Sequence, residues 1–118
     1  MGEDQVLDLK EFLERVQDDK ELLLELLDIF VEDYKDKSQQ LNEAVQRNNY
    51  EQMRSVAHSL KGSSGNISAK VMRQTFTKLE EMGQNNNLTG AGDLLKNLKG
   101  QFEDFTARIN QVKEELRN

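Results

Sequence analysis

One histidine, His58, stands in this sequence, and there is no cysteine. Nucleophilic or metal chemistry would have to be organised around that single imidazole and the side chains that reach it. Neutral imidazole is a good nucleophile and titrates near physiological pH, so an exposed one can accept a phosphoryl group without an adjacent base to activate it. The resulting phosphoramidate is labile and passes the group on. At ~100° per residue, Met53, Ala57, Leu60, Ser64 and Ile67 gather on one side of a helix and define a buried face. His58 then lies roughly 140° from the middle of that stripe, facing solvent or a partner. Lys61, three residues on, and Arg54, four residues before, share its flank. Gly62 follows one turn after the histidine and Gly65 two turns after. A glycine inside a helix costs ~1 kcal/mol relative to Ala, so two of them imply close approach from outside. Gly62 keeps the imidazole reachable and makes room for a group attached to it.

Charge gives a second line. Between Glu51 and Glu80 there is no acidic residue, while Arg54, Lys61, Lys70, Arg73 and Lys78 are all positive, in a chain of net charge −6. Such a cationic island holds an anion, either a phosphoryl group or the acidic pocket of a partner, and speeds encounter in a salt-dependent way. Lys61 would neutralise part of a phosphoryl charge as a point cation, which needs proximity and no fork geometry. No metal site is expected, because one histidine without cysteine leaves only carboxylates, and the sequence near His58 has none. Ser63 and Ser64 read as capping or packing residues; a nucleophilic serine would need His58 as its base from an ill-suited place on the same helix. Glu32, Asp33 and Asp36 read as a solvated helix face.

The elements that must position His58 are helical. The chain lacks Pro and is rich in Leu, Glu, Lys and Gln, a helix-forming composition. A short leading helix near Leu9 to Val16 offers Leu9, Phe12, Leu13 and Val16 to cover one end. A long helix begins after Asp18 or Asp19 and ends near Asn48 and Asn49, with Leu23, Leu27, Phe30, Tyr34, Leu41 and Val45 as its stripe. Leu22, Leu26 and Ile29 widen that stripe, which predicts burial against more than one neighbour. The histidine helix spans about Tyr50 to Asn66. The next runs from about Ser68 to Met82 and turns Met72, Thr75, Phe76, Leu79 and Met82 inward. Gly83 to Gly92 is rich in Gly and Asn and reads as a loop. Leu95, Leu98, Phe102, Phe105, Ile109, Val112 and Leu116 then step by three and four along a final helix of roughly six or seven turns. The expected fold is all-α, an antiparallel up-and-down four-helix bundle with a short amino-terminal capping helix, as one domain over residues 1–118.

Composition excludes other classes. With 118 residues the chain has the length of one domain, and a disulfide scaffold is impossible without cysteine. No apolar run approaches the ~20 residues of a membrane span, and Met1, Gly2, Glu3 and Asp4 lack the basic and apolar regions of a signal peptide, so a cytoplasmic location without membrane insertion is expected. An acidic total without Trp argues against a nucleic-acid partner, whose phosphates call for clustered Lys and Arg. A monomer is expected, since no apolar patch beyond the core is evident.

From Ala57 to Ala69 the chain reads Ala-His-Ser-Leu-Lys-Gly-Ser-Ser-Gly-Asn-Ile-Ser-Ala, which closely resembles the signature of histidine-containing phosphotransfer (HPt) domains. The resemblance covers nearly the whole chain: capping helix, Leu-rich helix, histidine helix, a helix bearing Leu79 and Glu80, a polar loop and a long last helix follow in the family's order. Ser68 stands where the family often has Gly, and Ser64 where Ala is common; both are small.

The resemblance implies a phosphohistidine carrier of a two-component phosphorelay: His58 the phosphoacceptor, Lys61 the phosphoryl-stabilising cation, Gly62 the residue giving access. It implies exchange with an aspartate on a response-regulator receiver domain, which brings the magnesium, and a sensor or hybrid histidine kinase upstream. No cofactor of its own and no kinase activity are expected, since the chain has no Gly-rich phosphate loop. The docking rim would include Arg54, Ser55, Ser59, Ser63, Gly65 and Asn66, with the first helix contributing. Two other classes compete: a helical adaptor that binds a partner without phosphorylation, and the dimerising phosphoacceptor part of a sensor kinase. The missing Pro after a His-acid motif and the full helical complement in one chain count against the latter.

Overall fold

The computed structural model describes residues 2–117. Six helices run through them: α1 (Glu3–Val6), α2 (Leu9–Arg15), α3 (Lys20–Gln46), α4 (Tyr50–Asn66), α5 (Lys70–Gln84) and α6 (Ala91–Arg117), with no strand among the described residues. Their starts follow from local chemistry. Asp8, Asp19 and Asn49 each accept a hydrogen bond from a backbone amide in the first turn of α2, α3 and α4, satisfying a donor that the helix leaves unpaired. The chain reverses after α3, α4 and α5 through Asn48, Ser68 and Asn86, all at positive φ.

The four long helices touch in the order α3, α4, α5, α6 and back to α3. Rising numbers on α4 meet falling numbers on α5: Arg54 lies against Gly83, His58 against Glu80, and Gly65 against Arg73. The same holds between α3 and α6, where Phe30 meets Phe105 edge-on at 5.3 Å and Tyr34 stacks on Phe102 at 4.1 Å. Leu23, Leu27, Phe30 and Leu41 from α3, Met53, Ala57 and Leu60 from α4, Met72, Phe76 and Leu79 from α5, and Leu98, Phe105, Ile109 and Val112 from α6 are buried together. Each of these Leu, Ile, Val, Met and Phe side chains contributes about 1.5–3 kcal/mol on burial, which fixes the rotation of α4 and points its opposite face outward.

Several boundaries differ from the sequence expectation. The helix expected from Ser68 to Met82 begins at Lys70 and continues to Gln84, so Gly83 is a buried helical residue and no part of the loop. Ala91 and Gly92 likewise open α6, leaving only residues 85–90 between the two helices. Gly83 belongs to the helix because α5 passes so close to α4 there: a Cβ on it would stand 2.8 Å from the Arg54 amide nitrogen and 2.9 Å from the Tyr50 carbonyl oxygen. The widened stripe on α3 is not covered as expected. Leu22 is exposed, Leu26 is half-buried and Ile29 is 63% exposed, because α3 lies at the side of the bundle where that face has no neighbour. The one-turn α1 was not expected; with it, Leu7 becomes fully buried.

Candidate functional site

His58 projects from the middle of α4 with 65% of its side chain exposed. The sequence places no carboxylate near it, but the structure brings one from α5. Glu80, 9% exposed, sets Oε2 2.6 Å from His58 Nδ1 and accepts a hydrogen bond from Lys61 Nζ at 2.5 Å through Oε1. This corrects the expectation that the histidine stands apart from acidic groups. Glu80 closes the acid-free stretch in the sequence, and the antiparallel run of α5 along α4 folds that end back over His58. The sequence did hold a signal: Glu80 follows the core residue Leu79 and so lies beside the buried stripe of its helix.

Lys61 holds the Glu80 carboxyl below the ordinary range by hydrogen bonding, burial opposes the shift, and His58 adds to it. Glu80 is therefore an acceptor only at neutral pH. An ionised carboxylate facing a ring nitrogen requires that nitrogen to carry the proton, so Nδ1–H donates to Glu80 and the lone pair of the neutral ring is on Nε2. Nε2 has no partner among the described residues. The arrangement can present a nucleophilic nitrogen to a reactant arriving from solvent, with a fixed negative charge behind the ring to stabilise positive charge developing on it.

Gly62 is exposed, and a Cβ built there meets nothing within 4 Å. No packing inside the chain requires glycine at this position, in keeping with a requirement for access from outside. Gly65 is different. A Cβ there would lie 3.0 Å from Arg73 Nε and 3.2 Å from Arg73 Cδ, so its absence seats the Arg73 side chain against α4. Arg54, exposed, lies on the flank as expected, but its backbone packs on Gly83 and its side chain makes no ion pair among the described residues. Ser55 and Asn66 are exposed. Ser63 donates to the Ser59 carbonyl, and Ser64 is buried, donating to the Lys61 carbonyl.

Sequence reading missed the α3 flank. Lys37 donates to Ser59 Oγ at 2.6 Å and pairs with Asp33 at 3.0 Å, which ties half-buried Asp33 into a contact with α4 while Glu32 and Asp36 stay exposed. Beyond the carboxyl end of α4, Ser68 is buried at φ 61°, a conformation that favours glycine. Its hydroxyl donates to Glu11 and its carbonyl accepts from the Asp8 amide, while Lys70 bridges Asp8 at 2.9 Å and Glu11 at 3.3 Å. The Lys70 hydrogen bond holds the Asp8 carboxyl low, the Ser68 hydroxyl does the same for Glu11, and Asp8 in turn raises Lys70. The leading helix is thereby fastened next to the histidine helix. No cluster of three or more metal-ligating side chains occurs among the described residues.

A family profile described as the Hpt domain matches residues 25–117, most of the chain. The chain belongs to the Hpt domain family. Among solved structures, this Hpt chain is similar to the crystal structure of histidine-containing phosphotransfer protein B from Pseudomonas aeruginosa PAO1, at 26% sequence identity and a TM-score of 0.79, covering 93% of each chain. Comparison with curated protein sequences gives no match. Family and fold together place the Hpt chain among the histidine phosphotransfer proteins of phosphorelays, which are phosphocarriers and not kinases. None of its described helices is long and apolar enough to cross a membrane.

Proposed function

We propose that His58 carries a phosphoryl group to and from an aspartate of a response-regulator receiver domain, within an antiparallel up-and-down four-helix bundle capped by its leading helix. One observation carries the reading: the lone histidine is exposed while its Nδ1 is held by a buried carboxylate, leaving Nε2 outward. The Nε2 lone pair attacks the phosphorus of the aspartyl phosphate, the Nε2–P bond forms, and the bond from phosphorus to the carboxylate oxygen breaks, returning the aspartate as carboxylate. The ring keeps its Nδ1 proton and becomes cationic, facing Glu80. Reversal hands the group to a second receiver.

Lys61 serves two anions in turn. It is bound to Glu80 before transfer, and its ammonium, one turn from His58, swings part of its charge to the phosphoryl oxygens afterwards. Gly62 leaves space for the group, and Arg54, Ser55, Ser59, Ser63, Gly65 and Asn66 form the rim that meets the receiver. Magnesium belongs to the receiver in this reading, and a sensor or hybrid histidine kinase supplies the phosphoryl group upstream.

The test is intact-mass analysis after incubation with a small phosphoramidate donor and, separately, with a phosphorylated receiver. Wild type gains one acid-labile, alkali-stable phosphoryl adduct, and His58→Gln gains none. A folded wild-type protein that takes up no phosphoryl group from any competent donor would return the chain to the class of non-catalytic adaptors.

A further inference from the structure

Beyond His58 towards the carboxyl end of α4, a concavity of about 440 Å³ opens between α2, α4 and α5, lined among others by Arg15, Lys61, Gly62, Gly65, Lys70 and Arg73. Most of its cations are already matched. Lys70 is paired with Asp8 and Glu11, Arg15 lies 3.6 Å from Glu11, and Lys61 is held by Glu80. Arg73 has no ion-pair partner among the described residues, is exposed, and rests its Nε and Cδ over the bare backbone of Gly65. The uncompensated charge of the concavity is therefore concentrated in one guanidinium held in place by a missing side chain.

The other end of α4 differs. There the surface concavity is lined by Gln40, Asn49, Glu51, Gln52 and Ser55, and Arg54 shares that end of the helix with Glu51, three residues before it. Charge along the exposed ridge of α4 thus runs from balanced, through His58, to positive at Gly65 and Arg73. Seven residues separate His58 from Gly65, about 10.5 Å along the helix. That is too far for Arg73 to reach a phosphoryl group on Nε2, yet well inside the roughly 800 Å² footprint of an ordinary protein partner.

We propose that this concavity receives an acidic element of the receiver's surface, with Arg73 as its anchoring cation and Gly65 as the seat that presents it. The proposal rests on the carrier reading for the identity of the partner. Its consequence is orientation: a receiver that approaches His58 must turn its acidic side towards the Gly65 end, so the charge gradient selects both the partner and its rotation about the line of transfer.

The experiment compares wild type, Arg73→Glu, Gly65→Ala and Lys78→Glu in two reactions, using a receiver that phosphorylates the wild type. Lys78 is exposed on the same helix, five residues from Arg73 and about 140° round from it, so its reversal matches the change in net charge away from the concavity. Arg73→Glu lowers kcat/KM for phosphotransfer about tenfold at low salt, and the loss shrinks at high salt. Gly65→Ala, which keeps every charge but pushes the guanidinium off its seat, acts in the same direction by a smaller factor. Lys78→Glu changes the rate less than about twofold. Labelling of His58 by a small phosphoramidate is the same in wild type, Arg73→Glu and Lys78→Glu.

Equal losses in Arg73→Glu and Lys78→Glu would overturn the site in favour of a diffuse field. An unchanged transfer rate in Arg73→Glu would overturn it outright. So would parallel losses in phosphoramidate labelling, which would put Arg73 in the chemistry or the fold. A wild type that accepts nothing from the phosphoramidate indicts the carrier reading itself, a different result from a labelled wild type whose receiver reaction ignores Arg73.

Discussion

Gly62 and Gly83 make opposite demands on the same pair of helices, and Ala substitution separates them. At Gly83 an added Cβ would stand 2.8 Å from Arg54 N, 2.9 Å from Arg54 Cβ and 2.9 Å from Tyr50 O, two of which are backbone atoms that no rotamer change can move. Overpacking of this kind costs about 1–3 kcal/mol. Three simultaneous contacts put Gly83→Ala at the upper end, and the ~1 kcal/mol gained in helix propensity leaves a net loss of about 2 kcal/mol. At Gly62 the same Cβ meets nothing within 4 Å, so Gly62→Ala keeps the propensity gain and stabilises the protein by up to about 1 kcal/mol.

Urea denaturation with an unchanged slope measures both, and midpoints moving in opposite directions are the expected result. Function follows a different pattern. Relief of the Gly83 clash moves α5 away from α4 by about half an ångström, which stretches the 2.6 Å contact between His58 and Glu80 towards the weak end of the hydrogen-bond range. Gly83→Ala therefore slows phosphoramidate labelling of His58 as well as destabilising. Gly62→Ala slows receiver transfer while stabilising. A Gly83→Ala protein as stable as wild type would show that backbone contact at this crossing does not set the separation of α4 and α5, and the account of how Glu80 reaches His58 would fail with it.

Glu80→Gln keeps the shape and removes the charge behind the ring; exchanging a charge-assisted hydrogen bond of about 1.5–3 kcal/mol for a neutral one of about 0.5–1.5 kcal/mol costs about 1–1.5 kcal/mol and slows His58 labelling roughly five- to tenfold in a single-turnover assay. Because the Glu80 carboxyl is held below its ordinary value of 4.5, mainly by Lys61, it contributes stability above that pH which is lost as pH falls through and below it; an acid-denaturation curve of Glu80→Gln should be correspondingly flatter. Burial raises the Tyr34 hydroxyl from 10 to about 12, so its contribution is complete below pH 10 and disappears between 10 and 12, about 2–3 kcal/mol in all. Tyr34→Phe should remove that alkaline loss, as read by circular dichroism against pH. Ser68→Ala loses the hydroxyl bond to Glu11 and keeps the positive φ, costing about 1–2 kcal/mol, whereas Ser68→Gly relieves the backbone and costs less; the reverse order in thermal melts would refute the strain argument.

Helix periodicity carried most of the fold. The final helix shows this well: Leu98, Phe105, Ile109 and Val112 are buried, and Leu95, Phe102 and Leu116 are partly so. Period and composition also placed His58 on the outer face of its helix, because Met53, Ala57, Leu60, Ser64 and Ile67 all go inside and leave no other direction for it. Where the reading failed, the sequence rule was locally sound but a neighbouring helix decided the outcome. Gly83 looked like a loop residue by composition, yet it is glycine because another backbone passes it. Leu22 and Ile29 read as core by spacing, and no element arrived to cover them. Arg108, buried and bridged to Glu115 at 3.3 Å, gave no sequence signal, since its burial depends on the facing elements.

Spacings of three and four residues along the chain are enough to make this protein helical, to turn its single histidine outward and to surround it with small and cationic residues within one helix. What the imidazole touches depends on how the helices meet. Glu80 is 22 residues from His58 and 19 from Lys61, and Lys70 is 62 from Asp8. Contacts over such separations depend on the rotation and offset of whole helices, which are set by the summed packing of their buried faces and, at Gly83, by a crossing where two backbones meet without a side chain between them.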